Sequence, residues 1–300
     1  MTAVATQETL TAGRPTQGGL RPRRLPWLGT VPFLVYVAAF LLLPTAIVVA
    51  GAFASANGPS FANIAELTKP YIITAFVNSV VLSAVSAAIG AVGGAILAYA
   101  VASGNPQGML RRVITSACGV LSQFGGVTLA FAFIATIGGE GFLTLWLQQH
   151  GITLYPNGIW LFKLQGLMLV YTYFQIPLMV IVFLPALDGI RPQWREATAS
   201  LGGTTWHYWR HVAGPILLPT FLGCSLLLFA NAFSAYATAA ALINQGGIIV
   251  PLQISTALSS EVGLAQANVG SALALGMVLM VAAITVVYSL LQRRTARWLP

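Results

Sequence analysis

The sequence predicts an all-α integral membrane protein that crosses the bilayer six times. Two figures exclude a soluble globular domain: 57% of the 300 residues are hydrophobic and only 7% are charged. A soluble domain carries roughly 25% charged residues, which it needs to cover its surface. The apolar runs also lack the period-two alternation of transmembrane β-strands. Lipid must therefore cover the apolar surface that charged residues are too few to cover.

The spans follow from the length of the apolar runs. About 20 apolar residues cross roughly 30 Å of hydrocarbon as an α-helix. We expect spans at residues 27–53, 73–102, 113–137, 164–187, 216–243 and 269–291. Residues 1–26 are polar and basic and predict a disordered tail, and residues 293–300 predict a short C-terminal tail. The first run is longer than the 7–15 apolar residues of a signal peptide, which favours a retained helix over a cleaved one.

The basic residues fix the expected orientation. Twelve of the 14 Lys and Arg residues lie in four clusters between the apolar runs: Arg14, Arg21, Arg23 and Arg24; Arg111 and Arg112; Arg191, Arg195 and Arg210; Arg293, Arg294 and Arg297. With both termini cytoplasmic, all four clusters fall on the cytoplasmic side, as the positive-inside rule requires, and only Lys69 and Lys163 lie outside. Because the net charge of +8 is placed in this way, and no nucleic-acid motif accompanies it, we expect no nucleic-acid partner.

Several kinds of chemistry are missing from the sequence. A phosphate-binding Walker loop needs Gly-Lys before Ser or Thr, whereas Lys69 follows Thr68 and Lys163 follows Phe162. His207 and His211 have the spacing of a metal pair, but no Cys or carboxylate accompanies them closely, so solvated helix residues are favoured over ligands. We therefore predict no catalytic residue, no metal site and no cofactor. The predicted spans also lack the paired carboxylates expected of many proton-coupled carriers.

The second span carries small residues at spacings of three and four. They are Ser83, Ser86, Ala87, Gly90 and Gly94. Such a face lets another helix backbone approach closely, so we interpret it as a packing surface rather than a ligand site.

The predicted cytoplasmic loop 188–215 is unusually structured. Pro192 suits the first position of a helix and Gly202-Gly203 suits its end, so a helix of about ten residues is expected between them. One face of this helix groups Trp194, Ala197, Thr198 and Leu201. A helix so short is marginal in water, and we expect it to pack on something. Thr204 or Thr205 can cap a second helix that leads to Pro215.

This loop resembles the EAA loop of permease subunits of binding-protein-dependent ABC importers. That pattern reads Glu-Ala-Ala, three residues, Gly, nine residues and Ile-x-Leu-Pro, between two spans near the C-terminal end. Four positions match it, namely Glu196, Ala197, Gly202 and Pro215, and Val212 stands for the similar Ile. Two positions depart from it, with Thr198 in place of the second Ala and Gly214 in place of Leu.

Three further segments extend the resemblance over about residues 73–290. Asn78-Ser79 looks like the Asn-Ser start of this permease domain. The segments 171–179 and 229–238 look like the branch that handles polyamines, thiamine, iron, sulfate or phosphonates.

The resemblance implies a type I ABC importer permease fold in a bacterial cytoplasmic membrane. It implies two permease subunits, identical or related, a cytoplasmic ATPase dimer and an extracytoplasmic solute-binding protein that delivers a small solute. ATP hydrolysis would then belong to the partner, and this chain would not be an enzyme. The ATPase-coupling residues would be Glu196, Ala197, Leu201 and Gly202.

Polar residues inside spans are costly and often functional, so five of them are candidates for the substrate path. They are Asn78, Gln123, Gln175, Asn231 and Tyr236. Hydrogen bonding between helices is the alternative role for each of them. Two other functions also stay open at this point: a secondary transporter or channel that works without an ATPase, and a sensor or assembly subunit that does not transport.

Overall fold

The computed structural model describes residues 26–55, 58–156, 158–243, 248–259 and 264–295. The predicted tails, apart from Pro26 and residues 293–295, lie outside the described residues. Six helices of the described part are long and apolar enough to cross a membrane: Thr30–Phe53, Pro70–Ala102, Gly126–Gln149, Leu164–Asp188, Thr205–Ser234 and Asn268–Leu290. The prediction of an all-α protein with six spans is confirmed.

The first unit of the chain ends at Ile47 and contains most of the first span. It holds α1 (Pro26–Val37), a π-helical segment (Ala38–Leu42) and the start of α2 (Leu43–Phe53). Pro44 explains the π segment, because proline has no N–H to donate and its ring clashes with the carbonyl four residues earlier. Large apolar side chains such as Phe33 and Phe40 are exposed, as expected of a span that meets lipid.

The second unit begins at Val48 and holds the remaining elements. A two-residue hairpin, β1 (Ala54–Ser55) and β2 (Gly58–Pro59), pairs Ala54 with Pro59. The helices of this unit after α2 are α3 (Ala62–Glu66), α4 (Pro70–Ala102), α5 (Met109–Gln123), α6 (Gly126–Ile137), α7 (Phe142–Gln149), α8 (Leu164–Asp188), α9 (Pro192–Ser200), α10 (Thr205–Tyr208), α11 (Gly214–Ser234), α12 (Ala237–Leu242), α13 (Val250–Ser259) and α14 (Leu264–Thr295). A 3₁₀ turn (Trp160–Phe162) precedes α8, and a π segment (Trp209–Ala213) joins α10 to α11.

The core forms where α4 crosses α8. The five small residues predicted to form a packing face of α4 are all buried. A Cβ atom at Gly90 would lie 2.5 Å from Cβ of Gln175, and one at Gly94 would lie 2.6 Å from the carbonyl oxygen of Ile176. The two backbones can approach this closely only because glycine has no side chain, so the interpretation as a packing surface is confirmed.

The prediction of one unbroken third span at 113–137 is wrong. The chain is interrupted between α5 and α6, where Gly126 takes a left-handed conformation with φ +69° that a helix cannot contain. The third span is instead Gly126–Gln149, which extends beyond α6 into α7. The helix α5 is a separate element that carries Arg111 and Arg112 in its first turn.

The predicted fifth span at 216–243 is also interrupted. The helix α11 ends at Ser234, and Ala235 is extended with ψ 111° before α12 begins. At its other end the span starts earlier than predicted, since Thr205–Ser234 is continuous through the π segment. The second helix expected after Thr204 is therefore the beginning of this span, and Pro215 produces a π segment rather than a boundary.

The region 244–268, which lies between the fifth and sixth predicted spans, contains α13. Val250, Pro251, Leu252 and Gln253 are buried. This helix packs beside α14 and against the start of α4, so part of the region belongs to the bundle.

Candidate functional site

The loop 188–215 contains a short helix with well-defined ends. Arg191 is extended and Pro192 occupies the first helical position, where its missing N–H costs nothing. At the other end, Gly202 N–H donates to the carbonyl of Ala199 and Gly203 N–H donates to that of Thr198, both at 2.9 Å. This pair of bonds is a Schellman motif, and it uses the left-handed conformation of Gly202, with φ +74°. The predicted helix between Pro192 and Gly202 is confirmed by α9.

The predicted packed face of α9 is only partly correct. Trp194 and Thr198 are half-buried, whereas Ala197 is exposed and Leu201 is 89% exposed. Only the edge of α9 that carries Trp194 and Thr198 is partly covered by the rest of the described chain. Glu196 and Gly202 are exposed too, which leaves all four predicted coupling residues accessible to a partner.

The segment after α9 is held by a cap that involves a histidine. Thr204 Oγ1 lies 2.8 Å from Nδ1 of His207 and accepts from the His207 backbone N–H at 3.4 Å. This capping arrangement gives His207 a structural role. Over the described residues, no group of three His, Cys, Asp or Glu side chains is placed to hold a metal ion.

An ion pair anchors the beginning of the loop 188–215. The Arg111 guanidinium, in the first turn of α5, donates to the carboxylate of Asp188 at the end of α8. Asp188 is both the last residue of α8 and the first residue of the loop, so α5 and α8 are tied together where the loop begins. Sequence reasoning missed this contact because the two residues are 77 positions apart.

The two helix interruptions meet inside the bundle. The backbone N–H of Gly126, at the start of α6, donates to Thr238 Oγ1 in α12 at 2.9 Å. Tyr171, which is fully buried in α8, donates its phenolic O–H to the carbonyl of Ala235 at 2.6 Å. The Gly126 N–H and the Ala235 carbonyl, which lie at the two interruptions, are thus hydrogen-bonded by side chains. Membrane proteins stabilise broken helices in this way.

Three of the five candidate path residues lie beside these interruptions. Gln123 ends α5, Asn231 lies in the last turn of α11, and Tyr236 stands between α11 and α12. All three are exposed in the isolated chain. The hydroxyl of Tyr236 shares a 2.8 Å hydrogen bond with Ser255 of α13. This bond fixes the orientation of the Tyr236 side chain.

The other two candidates are packed between helices. Gln175 is fully buried and its Nε2 donates to Ser86 Oγ at 3.2 Å, while its Oε1 has no hydrogen-bond partner in the described part of the chain. Asn78 Nδ2 donates to the carbonyl of Ile248 at 3.1 Å. The Gln175 contact corresponds to the interhelical alternative that the sequence left open, whereas Asn78 binds the segment that precedes α13.

Comparison with known proteins agrees with this architecture. No protein-family model matches the chain. The chain is 30% identical to the thiamine transport system permease protein ThiP of Escherichia coli (strain K12) over 137 residues, which are 44% of this chain and 24% of that protein. It is 24% identical to the sulfate transport system permease protein CysT of the same organism over 268 residues, which are 88% of this chain and 91% of that protein. The chain thus spans about a quarter of the thiamine permease and nearly all of the sulfate permease.

Solved structures show the same fold. A bacterial ABC transporter that imports the acidic polysaccharide alginate superimposes with a TM-score of 0.74 at 16% identity, over 90% of this chain and 95% of that one. An inward-facing MetNI methionine ABC transporter gives a TM-score of 0.58 at 16% identity, over 77% of this chain and 100% of that one. The chain is thus similar in sequence to two transport system permease proteins, and it shares the fold of these ABC transporter chains.

Proposed function

We propose that the chain is the membrane-spanning permease subunit of an ABC importer. It would form the path for a small solute that a binding protein delivers, and a separate ATPase would drive it. The observation that carries the proposal is α9, a short helix with a Schellman end that exposes Glu196, Ala197 and Leu201. An apolar side chain that is 89% exposed at the end of a well-ordered helix suits a contact with another protein.

The relatives support the proposed partners. The alginate transporter has been solved in complex with a substrate-bound periplasmic protein. By analogy, this chain would pair with an identical or related permease, a cytoplasmic ATPase dimer and an extracytoplasmic solute-binding protein. It would lie in the cytoplasmic membrane of a bacterium with α9 on the cytoplasmic side. The reason is that α9 carries Arg195 and that Arg191 and Arg210 lie before and after it in the sequence. Hydrolysis of ATP would take place in the partner.

The interrupted helices support a transport path in this subunit. Gln123, Asn231 and Tyr236 expose polar groups beside the α5–α6 and α11–α12 breaks. Polar groups at the depth of broken helices are typical of sites through which solutes pass. No charged residue is among them, so a charged solute would be selected mainly by the binding protein.

The test is whether hydrolysis in the assembled transporter depends on α9. The complex is purified from the native host through a tag on this chain, and its ATPase activity is measured in proteoliposomes with and without the loaded binding protein. Leu201→Asp and Glu196→Ala should lower the stimulated activity and weaken retention of the ATPase. Gln107→Asp, in an exposed loop at the same end of the bundle, is the matched control and should change neither.

Two outcomes would contradict the proposal. Solute uptake by vesicles that contain this chain alone would favour a secondary transporter or channel. Full retention of the ATPase and full stimulation in both α9 variants would show that α9 is only a surface helix.

A further inference from the structure

Two cavities meet beneath α9 and share one wall. The first, of about 420 Å³, lies between the ends of α4 and α8 on one side and α9 and α10 on the other. Its polar lining includes Ser103, Arg195, Glu196, Thr205 and Tyr208. The volume falls within the roughly 300–1,000 Å³ range of small-molecule sites.

The second cavity is an apolar groove of about 410 Å³ on the outside of the bundle. It runs between α4, α8 and α11, and its lining includes Ile96, Phe183, Leu218 and Phe221. Ile96 and Leu218 are 65% and 42% exposed, so the groove is open to whatever surrounds the spans. In a membrane that surrounding is acyl chain.

Aromatic residues form the boundary between the two cavities. Tyr99, Leu187 and Trp209 line both of them. The rings of Tyr99 and Trp209 pack edge to face with centroids 5.1 Å apart. Tyr and Trp are enriched where a bilayer changes from hydrocarbon to headgroups, because each has an apolar body and a polar tip. This boundary suits a groove at acyl-chain depth and a polar cavity at headgroup depth.

The polar cavity carries one group of each charge. Arg195 forms no ion pair with a carboxylate in the described ranges, so its guanidinium is available to a phosphate, which it can bind in bidentate fashion. Glu196, on the same cavity wall, can accept hydrogen bonds from an ammonium group. A headgroup with a phosphate followed by an ammonium matches both.

We propose that these joined cavities bind an aminophospholipid, with one acyl chain in the groove between α4, α8 and α11. Its phosphate would contact Arg195 and its ammonium Glu196. The site would place a lipid headgroup directly under α9, so that lipid would help to support the helix that is exposed to partners. The inference concerns the chain alone and does not depend on the proposed function.

The experiment measures lipid binding to the purified, delipidated chain by native mass spectrometry. The three probes have identical acyl chains: phosphatidylethanolamine, phosphatidylglycerol and diacylglycerol. The wild type should bind phosphatidylethanolamine best and diacylglycerol least. Arg195→Gln should weaken phosphatidylethanolamine binding about tenfold, the effect expected from losing a charge-assisted hydrogen bond. Glu196→Gln should remove the preference for phosphatidylethanolamine over phosphatidylglycerol.

Matched variants separate this site from general lipid adhesion. Arg210→Gln removes an exposed Arg of the neighbouring segment that does not line the cavity, and it should leave binding unchanged. Leu218→Trp should fill the groove and weaken all three lipids, whereas Leu227→Trp, equally exposed on α11 but outside the groove, should not.

A photoactivatable phosphatidylethanolamine provides a measurement that needs no variant. Its acyl-chain crosslinks should map to residues 95–99 and 214–221. Crosslinks concentrated elsewhere, equal losses in Arg195→Gln and Arg210→Gln, or equal binding of the two phospholipids by the wild type would each overturn the proposal.

Discussion

Ser79 of α4 accepts a hydrogen bond from the backbone N–H of Val250, 2.9 Å away and 171 residues further along the chain. Val250 is the first residue of α13, so the buried hydroxyl satisfies one of the N–H groups that begin that helix. Asn78 holds the same segment through the carbonyl of Ile248. Asn78 and Ser79, in the first half of α4, thus fasten α13 into the bundle.

Removal of this hydroxyl should loosen α13. Ser79→Ala leaves the Val250 N–H buried without a partner, which costs about 1–3 kcal/mol. Thermal unfolding of the purified chain in detergent, followed by tryptophan fluorescence, should show a lowered midpoint. Ser83→Ala is the matched control: Ser83 is equally buried but bonds only to the carbonyl of Ser79 in its own helix. Equal midpoints for the two variants would contradict the role given to Ser79.

The sequence predicted local features and missed those that depend on distant contacts. The ends of α9 were predictable because Pro192 and Gly202 act on their own neighbours. The interruption before Gly126 was not, since apolar residues continue on both sides of it and the bond that stabilises it comes from Thr238, 112 residues away. The same holds for α13, whose anchor is Ser79, and for Arg111 with Asp188. Asn78 and Gln175 were recognised as costly polar residues, but only the packing shows which helices they join.

The close approach of α4 to α8 predicts a position-dependent effect of added methyl groups. Gly94→Ala should destabilise the chain strongly, because its Cβ would overlap Met179 and lie 2.6 Å from the carbonyl oxygen of Ile176. Gly93→Ala is the control, since its Cβ would meet Ile176 at an ordinary 3.6 Å. Overpacking of this kind costs about 1–3 kcal/mol. The yield of monodisperse protein after detergent extraction would report it, and equal yields of both variants would refute the tight crossing.

Removal of the contact between the two helix interruptions should cause a functional defect. Thr238→Val keeps the shape of the side chain but removes the acceptor of the Gly126 N–H, so α6 and α12 lose their bond. We expect a lowered midpoint of unfolding and, in the proposed importer, impaired uptake. Thr172→Val, which removes only a bond to Met168 in its own helix, should affect both much less. Unchanged uptake in Thr238→Val would show that the joint between α6 and α12 is not needed for transport.

The distribution of basic residues predicts which end of the bundle is cytoplasmic. In a chain with Cys118→Ala and Cys224→Ala, new cysteines at Ser103 and Ser200 mark the end that carries α9, and one at Gln149 marks the opposite end. A membrane-impermeant maleimide added to spheroplasts should label only the cysteine at position 149. After permeabilisation it should label all three, since each position is exposed. External labelling at position 103 or 200 would reverse the orientation.

The most specific prediction concerns Gly202, whose left-handed backbone ends α9. A Cβ atom at this position would meet no other atom within 4 Å, so any effect of a substitution arises from backbone strain and not from a clash. Gly202→Val forces a β-branched residue to φ +74°, which costs roughly 1–2 kcal/mol and should distort the Schellman motif. Gly202→Asn has a similar size but tolerates the left-handed region, so it should retain the native helix end.

This pair of variants separates the geometry of α9 from the mere presence of a side chain. In the purified complex, Gly202→Val should insert normally but lose most of the ATPase stimulation by the loaded binding protein, while Gly202→Asn keeps most of it. Hydrogen exchange at the amides of Gly202 and Gly203 checks the cause independently, because the valine variant should lose protection there. If both variants stimulate normally although protection is lost in the valine variant, the rigid end of α9 does not contribute to coupling. Coupling to the ATPase would then have to involve another surface at the same end of the bundle.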